Sequence, residues 1–311
     1  MTELAPGIED TASGNGAGIA ADLRRRLVDE LREDLLQKAA NLPLRNHAAL
    51  GRVVTLCRDP NVSARGVAIE AARDEAFAAL LLRVANSAYS ASVSRIATFT
   101  HAIARLGFDL VQGLAIASMG APGFGAVAKV TDDRAGALRE LHRHSVRTGL
   151  VARALSPSGV DPEVALTAGV LHNLGLSVTA LFSPKAFRIL LAAAERKEQL
   201  PAVEEEALGF THAELGALLA ERWAYPPALV HAIREHDAAV PAGQLASLVQ
   251  VSDLAVRAVG IGIEPPLPLD PQVAAAAGVD LGQLADRLTP LLEAQERLEE
   301  RMQAELERIG Q

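Results

Sequence analysis

The chain has 311 residues, half of them hydrophobic and 3% aromatic, with 59 alanines, so it is neither a disordered chain nor a β-rich one. A single cysteine, Cys57, excludes a disulfide scaffold and points to a reducing compartment. A net charge of −8 argues against a protein whose main task is gripping nucleic acid.

Residues 1–20 read as a disordered tail. Met1–Gly18 is small, polar and acidic, and lacks the basic start and apolar run of a signal peptide. Leu23, Leu27, Leu31 and Leu35 then recur every four residues, which predicts an amphipathic helix from about Ala21 to Asn41. The cluster Arg24-Arg25-Arg26 reads as a solvated face, because Asp29, Glu30, Glu33 and Asp34 follow it.

Short helices are expected over Ala48–Cys57, Ala64–Ala72, Asp74–Ala85, Phe99–Leu106 and Leu110–Met119. Ser63 and Asp74 stand where helix caps belong. The uncharged stretch Leu110–Ala128 is long enough to span a bilayer, but Gly120, Pro122, Gly123 and Gly125 break it, so no membrane span is expected. The glycine-rich segment Gly120–Asp133 marks a subdomain boundary. It closes an N-terminal helical lobe over 21–133.

A second helical lobe covers 134–262, punctuated by Ser156-Pro157-Ser158-Gly159, Ser183-Pro184, Gly209-Phe210-Thr211 and Tyr225-Pro226-Pro227. Residues 263–311 form a stiff proline linker, Glu264-Pro265-Pro266-Leu267-Pro268, and closing helices. The last helix, through Leu284, Leu288, Leu291 and Leu298, is expected to pack back on the body. A coiled-coil homodimer is the alternative.

His144, His172, His212, His236 and Asp253 each lie at or near a helix in a different segment of the second lobe. Spacing alone reads as ordinary surface or core histidines. Imidazoles and carboxylates from separate helices are also how a bundle builds an interior metal site.

The local words decide between these readings. Val170-Leu171-His172-Asn173-Leu174-Gly175, Gly209-Phe210-Thr211-His212, Glu235-His236, His144-Ser145 and Ser252-Asp253 resemble the HD superfamily of metal-dependent phosphohydrolases. More closely, they resemble its HDOD branch, the HD-related output domain. In the first lobe, Asp59-Pro60 and Arg83-Val84-Ala85-Asn86-Ser87-Ala88-Tyr89 are similar to that branch's signature. His101 to Gly107 is similar to its helix end. The resemblance covers roughly Leu42 to Val259. It implies an all-α, two-lobed helical bundle with an HD-like second lobe, the lobes meeting at a cleft.

By resemblance, His144, His172, Asn173, His212, His236 and Asp253 form a vestigial metal site, and Asn86, Ser87, Ala88 and Tyr89 are the family signature. Asn173 stands where the superfamily places the charged aspartate of its His-Asp pair, and Leu176 where a lysine often follows. The branch is generally a signalling output module. The expectation is therefore a non-catalytic, cytoplasmic regulatory scaffold that binds a signalling protein, with a cyclic dinucleotide as a further ligand candidate. It would have no resident cofactor, a divalent metal being the one candidate. A metal-dependent phosphohydrolase with an atypical site is the alternative.

Asn86 and Ser87 are read as ending a helix and satisfying its last carbonyls, and Trp223 as a core anchor.

Overall fold

The computed structural model describes residues 12–39, 47–87, 95–120, 134–284, 286–290 and 293, and all regular structure among them is helical. The first half contributes α1 (Ala12–Lys38), α2 (His47–Leu56), α3 (Ala64–Ala71), α4 (Glu75–Ser87), α5 (Phe99–Leu106) and α6 (Phe108–Gly120). The second contributes α7 (Arg134–Leu155), α8 (Pro162–Leu171), α9 (Leu174–Phe182), α10 (Pro184–Glu195), α11 (Leu200–Ala207), α12 (His212–Arg222), α13 (Pro227–Glu235), α14 (Gln244–Ala258) and α15 (Pro271–Ala277). A 3₁₀ turn, Leu281–Gln283, follows.

Side chains written into the sequence fix the helix starts. The Ser63, Thr98 and Asp161 side chains accept from the amides of Gly66, His101 and Glu163. Thr211 and Glu214 form a reciprocal capping box at the head of α12. Such a cap satisfies amides that the helix itself cannot, at about 1 kcal/mol each. Asp74 also caps as expected, accepting from Phe77 N.

Several expectations are corrected. The disordered tail does not reach residue 20, because α1 already begins at Ala12. Gly14, Gly16 and Gly18 each disfavour a helix, so this first part continues from the amphipathic part that nucleates after it. Residues 1–11 lie outside the described residues. The apolar stripe of α1 is also shifted. Leu23 and Leu27 are more than half exposed, while Leu35, Leu36 and Ala39 pack with Leu174, Val178, Phe210, Leu215 and Leu219.

Among the described residues the two lobes share a continuous buried core. Leu50, Val67, Phe77, Leu81, Phe99 and Ile103 of the first half share one buried core with Leu166, Val170, Tyr225, Leu229 and Ile233 of the second. The Tyr225 hydroxyl donates to Ala79 O, and Ser177 Oγ to Glu75 Oε2, both in the buried interior between the halves. The boundary segment beyond Gly120 lies outside the described residues.

The chain after 262 is not a free linker. Leu269, Val273, Ala277, Leu284 and Leu288 pack on Val151, Leu155, Leu248 and Val256 of α7 and α14. Leu284 and Leu288 thus pack on the body, while Leu291 and Leu298 lie outside the described residues. Residues 294–311, where a coiled coil would continue, lie outside the described residues.

Helices α7 and α8 cross where Gly149 and Gly169 meet, and a Cβ on Gly169 would sit 2.6 Å from Gly149 Cα. The stretch Pro162–Phe182 is long and apolar enough to cross a membrane, yet 89% of its most apolar window is buried in the bundle. It is the central layer of the core and carries His172 in its middle.

Candidate metal centre

Four helices bring the histidines together. His144 lies within α7, His172 caps the end of α8, His212 opens α12 and His236 caps the end of α13. All four are at most 2% exposed. Their rings form a contiguous row, with centroids 5.4 Å apart for His144–His172, 4.9 Å for His172–His236 and 5.3 Å for His212–His236.

In each ring, Nδ1 faces an acceptor. For His144, His172 and His236 it lies 2.9, 2.6 and 2.8 Å from the carbonyls of Ile261, Gly169 and Ile233. For His212 it lies 2.9 Å from Glu204 Oε2. A carbonyl or carboxylate only accepts, so each Nδ1 carries a hydrogen and each Nε2 faces inward, where those of His144 and His212 meet carboxylates. This is how a protein orients imidazoles toward a metal. Gly262 helps locally. Its φ of 124° suits glycine, and a Cβ there would lie 2.9 Å from His144 Nδ1. Without one, the segment passes close enough for Ile261 O to reach the ring.

Two carboxylates face the row. Asp253 Oδ1 is 2.7 Å from His144 Nε2 and 3.7 Å from His172 Nε2. Asp237 Oδ2 is 3.1 Å from His212 Nε2 and 3.7 Å from His236 Nε2. The cluster therefore divides into two groups of two imidazoles and one carboxylate, His144–His172–Asp253 and His212–His236–Asp237, each with its donor atoms within 4.8 Å of one another. That donor set suits a divalent transition metal. His172 Nε2 is buried without a hydrogen-bond partner, a donor atom of the kind a metal takes.

Arg257 supplies a cation of the protein's own. One turn beyond Asp253 on α14, its Nε and Nη2 meet Asp253 Oδ1 and Oδ2 at 3.0 and 2.6 Å. Nη2 also lies 3.4 Å from Asp237 Oδ1, and Nη1 lies 3.0 Å from Glu264 Oε2. Burial alone would raise Asp253, but Arg257 and then His144 and His172 hold it well below the usual carboxylate range. Asp237 is likewise held low, by His236, His212 and Arg257 against burial. Burial pushes Glu264 up to about 7 despite Arg257.

The imidazoles diverge. Burial pushes His236 down to about 4 and lowers His172, with Asp237 and Asp253 opposing in turn. Burial would lower His212 too, but the carboxylates of Glu204 and Asp237 outweigh it and hold it well above the usual range.

All five expected ligands, His144, His172, His212, His236 and Asp253, thus come together. Asn173, next to His172, is 1% exposed, and its amide oxygen has no hydrogen-bond partner. Sequence reading missed Asp237, Glu204, Arg257 and Glu264. Two of these carried a signal. His236-Asp237 is itself an adjacent His-Asp pair, and Arg257 stands one helical turn from Asp253.

Of the family signature, Asn86 Nδ2 donates to Leu82 O and Ile96 O, while its Oδ1 accepts from Ile96 N. Ser87 Oγ donates to Val84 O. Both satisfy carbonyls of the last turns of α4, as expected, and Asn86 also ties the helix to the segment at Ile96. Ala88 and Tyr89 lie outside the described residues. Trp223 is half-buried, 5.9 Å from the Tyr225 ring, with the Arg83 guanidinium 5.5 Å from its centroid.

A pocket of about 210 Å³ approaches the cluster from the carboxylate side. Asp237, Gln250, Arg257, Glu264, Pro268 and Asp270 are among its lining residues, and none of the four clustered histidines is.

An all-helical bundle that converges four imidazoles and two carboxylates in its interior has the architecture of an HD-type protein. A sequence model of the HDOD domain matches residues 43–239, and the chain belongs to that family. An uncharacterised protein of Treponema pallidum is 30% identical over 182 residues, which is 57% of this chain and 34% of the relative, so the chain spans about a third of that relative's length. Among solved structures, the MmoQ response regulator of Methylococcus capsulatus has a similar fold. Its TM-score is 0.61 at 21% identity, covering 80% of this chain and 98% of that one. A virulence factor of Campylobacter jejuni reaches 0.56 at 20% identity, covering 73% and 82%.

Proposed function

We propose that this HDOD protein is a regulatory module that works by binding a signalling partner and does not hydrolyse phosphate esters. The observation that carries this reading is the closure of the cluster. All four histidines are at most 2% exposed, and Asp237, Arg257, Glu264 and Asp270 are among the residues that line the pocket beside them. A phosphate entering there meets acidic side chains. The guanidinium that could receive it is already engaged by Asp253 and Glu264. The fold shared with a response regulator is consistent with signalling output.

The convergent Nε2 atoms favour a second reading, a metal-dependent phosphohydrolase. In it, His212, His236 and Asp237 would hold a divalent ion, with Glu204 behind His212. Bound there, such an ion supplies Lewis acidity and an activated water.

Purified protein incubated with Mn²⁺, Co²⁺ or Ni²⁺ and assayed on bis(4-nitrophenyl) phosphate and cyclic dinucleotides separates the two. The expected result is no turnover above that of His172→Ala or His212→Ala. Turnover lost in both variants would establish the enzyme. Crosslinking in a cell lysate, compared between wild type and a charge-reversed surface, then seeks the partner. Saturable binding of a cyclic dinucleotide without its hydrolysis would make that ligand the input.

A further inference from the structure

We propose that Arg257 is the resident cation of the His144–His172–Asp253 group, and that it keeps a divalent metal out of that half of the cluster. The inference concerns occupancy, so it stands whether or not the chain turns over a substrate.

The two halves have the same donor types but differ in what holds the carboxylate. On the His144–His172 side, the guanidinium lies across both oxygens of Asp253: Nε donates to Oδ1 at 3.0 Å, and Nη2 makes an ion-pair contact with Oδ2 at 2.6 Å. A guanidinium held this close to both oxygens leaves little room for a second cation at the same carboxylate. On the His212–His236 side, Nη2 approaches only Asp237 Oδ1, at 3.4 Å. The guanidinium does not reach Oδ2, the oxygen that faces His212 Nε2 at 3.1 Å.

The guanidinium is itself locked. It is 3% exposed, and Glu264 anchors its third nitrogen at 3.0 Å. Glu264 is placed by the chain segment that follows Ile261, whose carbonyl contacts His144. Arg257 therefore cannot swing aside without breaking three carboxylate contacts in the interior. A metal ion needs an Asp253 oxygen and would set a second positive charge beside the first. At such spacing, two unscreened like charges repel strongly.

His172 records the result. Its Nε2 is fully buried and faces Asp253 Oδ1 at 3.7 Å with no hydrogen bond. It is a ligand atom left with nothing to bind, because arginine has claimed the carboxylate that would complete its site.

Tag-free protein, treated with chelator and then titrated with Co²⁺, tests this by calorimetry and by visible absorption of the bound ion. Arg257→Met is expected to bind about one more ion per chain than wild type, with a new cobalt band. Arg257→Lys, which keeps the charge, should match wild type in number. The extra ion should vanish in Arg257→Met/His172→Ala. Because Arg257→Met strands buried carboxylates, the charge-balanced pair Arg257→Met/Glu264→Gln is made alongside it, and circular dichroism selects the folded protein. The same gain of one ion is expected there. A folded variant with the wild-type number of ions would overturn the proposal. So would an extra ion that survives His172→Ala or appears equally in Arg257→Lys. Neither variant folding, with or without Co²⁺, would also overturn it, since arginine would then be structural and not a stand-in for metal.

Discussion

Tyr225 is fully buried, and its hydroxyl meets Ala79 O at 2.8 Å from the opposite half of the molecule. Tyr225→Phe keeps the ring and strands that carbonyl. The expected loss is about 1–2 kcal/mol in urea denaturation, with an unchanged helical spectrum. The buried imidazoles make a second residue-scale prediction. His236 is held near 4 in the fold, against about 6.5 when unfolded. Between those values the unfolded chain takes up a proton that the folded one refuses, so stability falls as pH drops from 6.5 to 4. The loss reaches about 3 kcal/mol. The lowered His172 adds in the same direction. His212, held high, contributes stability below 6.5 that is lost only as pH rises through its folded value. Denaturation of chelator-treated protein from pH 4 to 8 should show the acid limb, flattened in His236→Gln. A limb of equal slope in that variant would place the titration elsewhere. At this scale the sequence showed the histidines and Asp253, because each sits in a recognisable local word. Asp237 and Arg257 were hidden because their roles depend on α13 and α14 being side by side.

Helices α9 and α12 touch at Gly175 and Gly216, and this contact seats His212. A Cβ on Gly175 would fall 2.0 Å from His212 O and 2.7 Å from Gly216 N, both backbone atoms that cannot turn aside. Gly175→Ala should therefore cost about 3 kcal/mol or more, by forcing the two helices apart. Gly113, on the exposed face of α6, has nothing within 4 Å of such a Cβ. Gly113→Ala should be neutral or stabilising by about 0.5–1 kcal/mol, as alanine is the better helix former. Thermal melts of the two variants, run together, make the comparison. A similar shift in both would show that helix propensity, not the crossing, sets the effect. Most helices were legible at this scale, since Ser63, Asp74, Pro162, Thr211 and Pro227 announce their starts locally. The start of α1 at Ala12 was not, because glycine and asparagine in that stretch argue against a helix residue by residue.

The shared core makes the whole molecule one cooperative body. Phe77 and Ile103 from one half and Tyr225 and Ile233 from the other belong to the same buried cluster. Unfolding is expected as a single transition, coincident by tryptophan fluorescence at Trp223 and by far-ultraviolet circular dichroism. Two separated transitions would restore the picture of independent lobes. That picture came from the glycine-rich break after Gly120, a local signal. The packing of α4 and α5 on α8 joins elements more than 50 residues apart and leaves no trace in periodicity. The apolar run Pro162–Phe182 also has a consequence for how the protein is made. It leaves the ribosome well before α12, α13 and α14, which complete its cover. At about 5–20 residues per second, α14 follows roughly 4–15 seconds later. For that interval the newborn chain displays its most hydrophobic segment half-clothed, a natural binding site for a chaperone during synthesis. The metal-type cluster, with Asp253 on the latest of its helices, is among the last features to form.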